Sequence, residues 1–356
     1  MYFYKNKTYT TLQFDPSYYD DYSYGARIEY GLEVGGNFLK LAANYKKDVH
    51  QDIDLFTNVL SKKYEDHTIS LGAEDTYKVT NDLEILAGIS YDRQRADKAY
   101  ENTSNAYVGL DTMSAVNPQA AIIYTLTSES KLRVSASQKT YLPSMKDRFS
   151  GGMGKKEPNP DLDKEISTNY EIGYTYKTKE FFIATNAYFT QVKDAISSVK
   201  TNTLQDGSTT KYKDQNQNIG DFEHIGFEID AAYTLDNTKV GGNFAFIDVQ
   251  GKNESSEKRT NIPKHQAFAF AQQKLGAGFS IYANIKYRNG AYDQDDNYNY
   301  VKIGSFTTFD AKVIYEPMKE LLLEVGVKNL TDRLVEYSFG YPEAGREYFA
   351  TLNYKF

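Results

Sequence analysis

The most regular feature of the chain is an alternation of apolar and polar positions with a period of two. Tyr24, Ala26, Ile28, Tyr30 and Leu32 alternate with Gly25, Arg27, Glu29 and Gly31. Leu83, Ile85, Ala87, Ile89 and Tyr91 stand against Glu84, Gly88 and Ser90. Phe279, Ile281, Ala283, Ile285 and Tyr287 alternate with Ser280, Tyr282, Asn284, Lys286 and Arg288. Near the end, Leu321, Leu323, Val325 and Val327 alternate with Leu322, Glu324, Gly326 and Lys328. Successive side chains on a strand point to opposite faces, so each segment predicts a strand with one apolar and one polar face. A half-exposed soluble sheet carries the same pattern.

The connections separate the two readings. Short polar turns are expected at Val34–Asn37, Val79–Asp82, Thr127–Ser130, Lys177–Glu180, Leu235–Thr238, Lys274–Ala277 and Glu316–Lys319. Between them fall long polar stretches: Phe14–Tyr22, Asp48–Asp66, Asp92–Asn117, Thr140–Glu165, Ser197–Asp221, Gln250–Ile262, Asn289–Ser305 and Leu330–Gly345. Short and long connections alternate along the whole chain. A Greek-key sandwich has no reason to do this. A meander through a membrane does, with tight turns on the periplasmic side and long loops outside. The expected fold is therefore all-β, an antiparallel transmembrane outer-membrane β-barrel with about sixteen strands of roughly ten residues each. The last strand, Arg346–Phe356, follows a long loop and so ends at the periplasm. Gln250–Ile262 is polar enough to resemble a domain linker, but it joins strands of matching phase and reads as a loop.

Composition sharpens this picture. The chain holds 32 Tyr and 20 Phe with no Trp and no Cys. Such rings suit the belts at the two interfaces of a membrane barrel. Mean hydropathy is -0.62, and no apolar run approaches the roughly 20 residues of a spanning helix. A formal charge of -7 argues against nucleic acid as a partner. The absence of cysteine removes disulfide frameworks, thiolate metal sites and cysteine nucleophiles. The start, MYFYKNKTYT, lacks the basic, apolar and small-residue regions of a signal peptide. The expectation is a fragment, or a processed form with an added Met.

Three stretches point to a family. At the C-terminus, VGVKNLTDRLVEYSFGYPEAGREYFATLNYKF carries Asn329, Leu330, Thr331 and Asp332, then Tyr341, Pro342, Gly345 and Arg346, and closes on Phe356. NPDLDKEISTNYEIGY presents Asn159, Pro160, Leu162 and Glu165 before a strand near Tyr170–Tyr176. QNQNIGDFEHIGFEID leads to Gly226 and Glu228. In this order and spacing they resemble TonB-dependent receptors, over most of the chain from about Pro118 onward. The resemblance implies a cell outer membrane location and transport of a scarce nutrient: an iron-siderophore, another metal chelate or cobalamin. The alternatives carried alongside it are a passive sixteen-strand porin and a surface adhesion or structural barrel.

Family members have about twenty-two barrel strands behind an N-terminal plug and a TonB-contacting segment. Residues 1–356 read as barrel alone, the last sixteen strands, with plug, TonB box and signal peptide absent. Contact with the TonB system is then expected only through those absent regions, and independent transport by this chain is not expected. Its terminal strands, near Tyr2–Phe14 and Arg346–Phe356, would be edges that must meet, find partners or misfold, because unpaired backbone groups are costly in lipid.

No enzyme constellation is present, and no cofactor is implied. His50, His67, His224 and His265 are scattered, and Gly151, Gly152 and Gly154 lack the spacing of a phosphate loop. Asp20–Asp21 and Asp293, Asp295 and Asp296 could offer oxygens to Ca²⁺, but read better as solvated loops. Tyr292, Tyr298 and Tyr300, with Arg288, are the candidate ligand-binding residues, since rings on an outer loop can stack on a chelate, cobalamin or sugar. The plain alternative is loop packing. Arg27, Arg133, Arg288 and Arg346, opposite Glu29, Glu171, Glu228 and Glu324, form an inward-facing charged set that would mostly pair with the plug or internally. Tyr348, Leu352, Tyr354 and Phe356, in one lipid-facing stripe with Ala350, resemble the terminal signal read by the outer-membrane assembly machinery. The other expected partners are outer-membrane lipid and a transported small molecule.

Overall fold

A computed structural model describes residues 1–10, 17–101, 106–107, 111–151, 156–206, 209–252, 258–295 and 299–356, the backbone alone at 10, 101, 106–107, 202–206 and 209–212. Sixteen long strands form the main sheet, and the two-residue strand Ala106–Tyr107 is its seventeenth member. In order they are Tyr2–Thr10, Ser17–Val34, Asn37–Asp54, Leu60–Lys78, Leu83–Glu101, Thr112–Thr127, Ser130–Tyr141 and Glu165–Lys177. Then follow Phe181–Lys193, Phe222–Leu235, Thr238–Gly251, His265–Gly276, Phe279–Arg288, Phe306–Met318, Leu321–Lys328 and Glu347–Tyr354. Each long strand pairs with the next in chain order. The first strand is laddered to the second and the last to the penultimate. The chain divides into two compact units, one of Met1–Ile122, Ser135–Asn169 and Gln191–Asp221, the other of Ile123–Val134, Tyr170–Thr190 and Phe222–Phe356.

Five of the seven short turns fall where the pattern places them; those expected at Lys274–Ala277 and Glu316–Lys319 come two residues later, between Gly276 and Phe279 and between Met318 and Leu321. Threonine hydroxyls close several. The Thr80 Oγ1 accepts from the Asp82 and Leu83 amides at 3.2 and 3.1 Å. Thr178 Oγ1 accepts from Glu180 and Phe181 at 3.3 and 3.0 Å, and Thr127 Oγ1 accepts from Glu129 at 3.2 Å. A hydroxyl that satisfies turn amides lets the chain reverse without leaving donors bare.

The long connections differ from expectation because the ladders run further. Asn37–Asp54 and Leu60–Lys78 stay paired from Asn37↔Tyr77 to Ile53↔Leu60, so Asp48–Asp66 is mostly strand. Ser17–Val34 takes up most of Phe14–Tyr22, and Leu83–Glu101 extends well into Asp92–Asn117. Beyond the lipid a strand has no need of an apolar face, so alternation stops while hydrogen bonding continues. Three other connections fold on themselves, into Ile196–Asp206 with Thr209–Asn218, Ala291–Gln294 with Tyr300–Ile303, and Glu336–Ser338 with Tyr341–Pro342. Thr140–Glu165 holds the short helix Met145–Phe149, whose start is closed by a capping box between Ser144 and Asp147.

Register settles the faces. In the second unit Ile281, Ala283 and Ile285 lie opposite Val313, Ala311 and Phe309. Val313 and Ala311 in turn face Val325 and Val327, and Leu323, Val325 and Val327 face Leu352, Ala350 and Tyr348. The other face carries Asn284 opposite Asp310 and Glu324 opposite Thr351. It is tied by Lys286 Nζ to Asp310 at 2.7 Å and Lys312 Nζ to Glu324 at 2.7 Å. Leu323 and Glu324 take the faces the alternation assigns them.

The first unit repeats the arrangement. Ile28, Ala43, Leu71 and Tyr91 share one row of the apolar face. The opposite face carries Arg27 in an ion pair with Glu29, Lys40 near Glu74, and Gln119 donating to Glu74 at 2.7 Å. These apolar rows are exposed to the surroundings; apolar burial instead gathers at the loop end. There Tyr64, Ala96, Ala99 and Phe149 pack together with Met145 against them.

Candidate functional site: the outer loops

In the second unit three distant loops meet on one carboxylate. Asp293, on the hairpin Ala291–Gln294, is 9% exposed. Its Oδ1 accepts from the Gln294 amide at 2.9 Å and Asn261 Nδ2 at 3.3 Å. Its Oδ2 accepts from the Ser338 hydroxyl at 2.7 Å and the Phe339 amide at 2.8 Å. Burial alone would raise the carboxyl's pKa; these donors outweigh it and hold the group below the usual aspartate range. The Asn261 amide adds a bond to the Tyr292 carbonyl at 2.7 Å. Asp293 thus has both oxygens engaged by donors from the protein. Asp295 likewise accepts from the Asn299 amide at 2.8 Å and side chain at 3.1 Å. Asp296 lies outside the described residues, and among the described residues no cluster of metal-ligating groups occurs.

Tyr292 and Tyr300 sit on one face of that hairpin, since Tyr292 opposes Lys302 and Gln294 opposes Tyr300. Lys258 comes between them, its Nζ 3.8 Å from the Tyr292 ring centre and 5.9 Å from that of Tyr300. Its amide donates to the Tyr300 hydroxyl at 3.1 Å. The result is a cation held over two rings, with Tyr292 still exposed. Tyr298 lies outside the described residues.

Arg288 ends its strand on the polar face, opposite Gln266 and Phe306. It is buried to 7% exposure, and its Nη1 has no hydrogen-bond partner among the described residues. Its guanidinium lies 5.3 Å from the Tyr337 ring, which stands edge-on to Phe306. A desolvated guanidinium without a carboxylate is costly unless something else supplies the negative charge.

The first unit uses its sequence motif for closure. The Asn159 amide donates to the Arg148 carbonyl at 2.7 Å, and its side chain to the Asn216 carbonyl at 2.7 Å. Arg148 donates from Nε to the Pro160 carbonyl at 3.2 Å and pairs with Asp111 at 2.6 Å. Leu162 is fully buried, and Glu165 Oε2 accepts from the Ile196 amide at 2.9 Å. Gly151 is described here; Gly152 and Gly154 fall outside.

The C-terminal motif is equally structural. Asn329, at φ 48°, accepts from the Arg333 amide at 2.9 Å and donates to the Arg333 carbonyl at 2.7 Å. Asp332 Oδ1 accepts from the Arg346 amide at 2.8 Å, joining the loop's two ends. A Cβ on Gly345 would stand 2.5 Å from that same oxygen, so a larger residue there would have to push the Asp332 carboxylate out of the clasp. Tyr348, Leu352 and Tyr354 lie exposed along one face of the final strand, with Phe356 edge-on to Tyr354 at 5.3 Å.

Of the candidate residues, the structure brings Tyr292 and Tyr300 together and sets Arg288 against Tyr337. Beside them stand Lys258, Asn261, Ser338 and Tyr337, which the sequence did not single out. No local pattern marks these; only the fold brings three loops into one place.

Comparison with known proteins agrees with this architecture. The family described as TonB dependent receptor-like, beta-barrel matches residues 2–330. An iron-regulated outer membrane virulence protein of Vibrio cholerae is 27% identical over 227 residues, 59% of this chain and 34% of that protein. Heme/hemopexin utilization protein C of Haemophilus influenzae is 25% identical over 342 residues, 91% of this chain and 42% of that protein. Among solved structures, the copper transporter OprC superposes with TM-score 0.80 at 18% identity, over 96% of this chain and 58% of that one. The FrpB iron transporter of Neisseria meningitidis gives TM-score 0.75 at 16% identity, over 96% and 56%. The chain thus spans between about a third and three fifths of the length of these proteins. The porin reading gains nothing from these matches. Residues 2–330 carry the barrel of this family, and the chain belongs to the TonB-dependent receptors of the Gram-negative outer membrane.

Proposed function

We propose that this chain supplies the wall and outer loops of a receptor that draws a scarce, anionic metal complex through the outer membrane. Iron-siderophore, another metal chelate or haem fits this description, with energy from a TonB-type partner that acts through regions other than these strands. The observation that carries the reading is Arg288, a buried guanidinium on the polar face whose Nη1 finds no protein acceptor. Beside a π-surface such as Tyr337 it suits a flat or aromatic anionic group, because an arginine fork pairs with carboxylates and catecholates while its plane stacks. Lys258, held over Tyr292 and Tyr300, offers a second positive group with aromatic walls. The relative named for heme/hemopexin utilization supports the same ligand class.

The final stripe Tyr348, Leu352, Tyr354 and Phe356 serves, on this proposal, as the recognition strand for the assembly machinery. Its rings lie exposed along one face of the strand, open to recognition.

The test is binding to folded protein in micelles, followed by quenching of the tyrosine emission by ferric siderophores and haem. Arg288→Gln is expected to weaken an anionic complex by about tenfold, the worth of one charge-assisted contact, and to leave cobalamin unaffected. Unchanged affinity for every anionic chelate would overturn the assignment.

A further inference from the structure

The apolar face of the first unit does not end in solvent but in a patch of cations, and we propose that this patch binds the phosphates of the outer leaflet's glycolipid. The strand Leu83–Glu101 shows it most simply. Its exposed positions read Ile85, Ala87, Ile89 and Tyr91, then Arg93 and Arg95, all on one face. The turn at 79–82 lies immediately before this strand, and a crossing takes about 9–11 residues. The strand therefore leaves the hydrocarbon close to Tyr91, and Arg93 is its first outward side chain beyond that point.

Neighbouring strands agree. Lys47 lies opposite His67, and His67 opposite Arg95, forming one cross-strand row. The row below it is Tyr45, Ile69 and Arg93. Rings and aliphatic groups thus give way to cations within a single step of the ladder. Two carboxylates stand among them and hold them in place. Asp97 accepts from His67 at 2.9 Å and Lys47 at 3.3 Å. Glu65 pairs with Lys63 at 2.7 Å, Lys47 at 3.1 Å and Lys98 at 3.7 Å. Positive charge still exceeds negative: Arg93 has no acid partner among the described residues, and Arg95 reaches Asp97 only at 4.0 Å.

The position selects the occupant. A free anion would be met equally well by loop cations, and these face sideways into the bilayer's edge. A lipid with phosphates at the headgroup level, above acyl chains that lie on Ile85, Ile89 and Leu71, meets both halves of the surface at once. The patch is at the end away from the tight turns, which is the outer leaflet, where phosphorylated glycolipid of the lipid A class is the anionic lipid. Arginine forks bind phosphate with two parallel hydrogen bonds.

The test uses the full chain folded in detergent micelles and read by native mass spectrometry. The probes are bis-phosphorylated lipid A, the same lipid without phosphates, and phosphatidylglycerol, with inorganic phosphate as competitor. Phosphorylated lipid A is expected to bind about tenfold tighter than either other lipid, and equimolar inorganic phosphate should not displace it. Arg93→Gln with Arg95→Gln should remove most of that preference, while Arg27→Gln on the opposite face should not. Equal binding of the two lipid A forms, equal binding of phosphatidylglycerol, displacement by inorganic phosphate, or a double variant with the preference intact would each overturn the proposal. Should the double variant fail to fold, the comparison of lipids on the unaltered chain still decides.

Discussion

Removing the Asp293 carboxylate should release three outer loops together. Asp293→Ala leaves two backbone amides, one hydroxyl and one side-chain amide without their acceptor, in a position that is 9% exposed. A hydrogen bond to a charged group contributes about 1.5–3 kcal/mol, and bonds that share one acceptor do not add. A local cost of about 3 kcal/mol follows, which raises the open population by roughly two decades. Hydrogen exchange in micelles reads it directly: the Phe339 and Gln294 amides should exchange about a hundredfold faster, while amides of the strand Phe279–Arg288 stay protected. The pH dependence has a fixed sign. Hydrogen bonds hold the folded carboxyl below its ordinary value, against the opposing effect of burial. The stabilisation is therefore complete above the unfolded value, roughly pH 4, and fades as pH falls through the lower folded value. Unchanged exchange at Phe339 in the variant, or loops that loosen as pH rises from neutral, would refute the reasoning.

Three further outcomes follow. In Gly226→Ala the added Cβ would collide with the hydroxyl end of the Tyr188 ring; overpacking of this kind costs about 1–3 kcal/mol, seen as a lower urea midpoint in micelles, and Tyr188→Ala in the same chain should recover part of it. Gly345→Ala should open the Asp332–Arg346 clasp, raising proteolysis within 333–345 while leaving the barrel's heat-dependent gel mobility unchanged. On the proposed role of the final stripe, Phe356→Ala should slow assembly into outer membranes in vitro, with little effect on refolding in detergent.

Much of the wall was legible in the sequence because lipid enforces it. Ile281, Leu323 and Val325 must meet hydrocarbon and Asn284 and Glu324 must not, and a slip of one residue would exchange every face. The tight turns were legible for a related reason, since Thr80, Thr127 and Thr178 sit where bare amides need acceptors. Past the lipid that pressure vanishes. Asp48–Asp66 looked like loop because charged residues there carry no alternation, yet its backbone stays in the ladder. The site was legible only as residue types. Tyr292 and Tyr300 stood out as rings in a polar loop, but Lys258 and Ser338 reach Asp293's surroundings from segments dozens of residues away. The motif Asn159–Glu165 signalled a family before it signalled a purpose; its side chains turn out to knit the loops of the first unit.

The central claim, that one face of this sheet meets lipid and the other an aqueous interior, has a direct measurement. The chain has no cysteine, so single substitutions carry a nitroxide label without interference. Labels at Ile281→Cys, Ile285→Cys and Val325→Cys in lipid bilayers should relax with oxygen, which partitions into hydrocarbon, and ignore a water-soluble nickel chelate. Labels at Asn284→Cys, Lys286→Cys and Glu324→Cys should do the reverse. Alternation of this kind along both strands is the result the account predicts. Equal access to the nickel chelate at all six positions, or oxygen preference at Glu324→Cys rather than Val325→Cys, would contradict it.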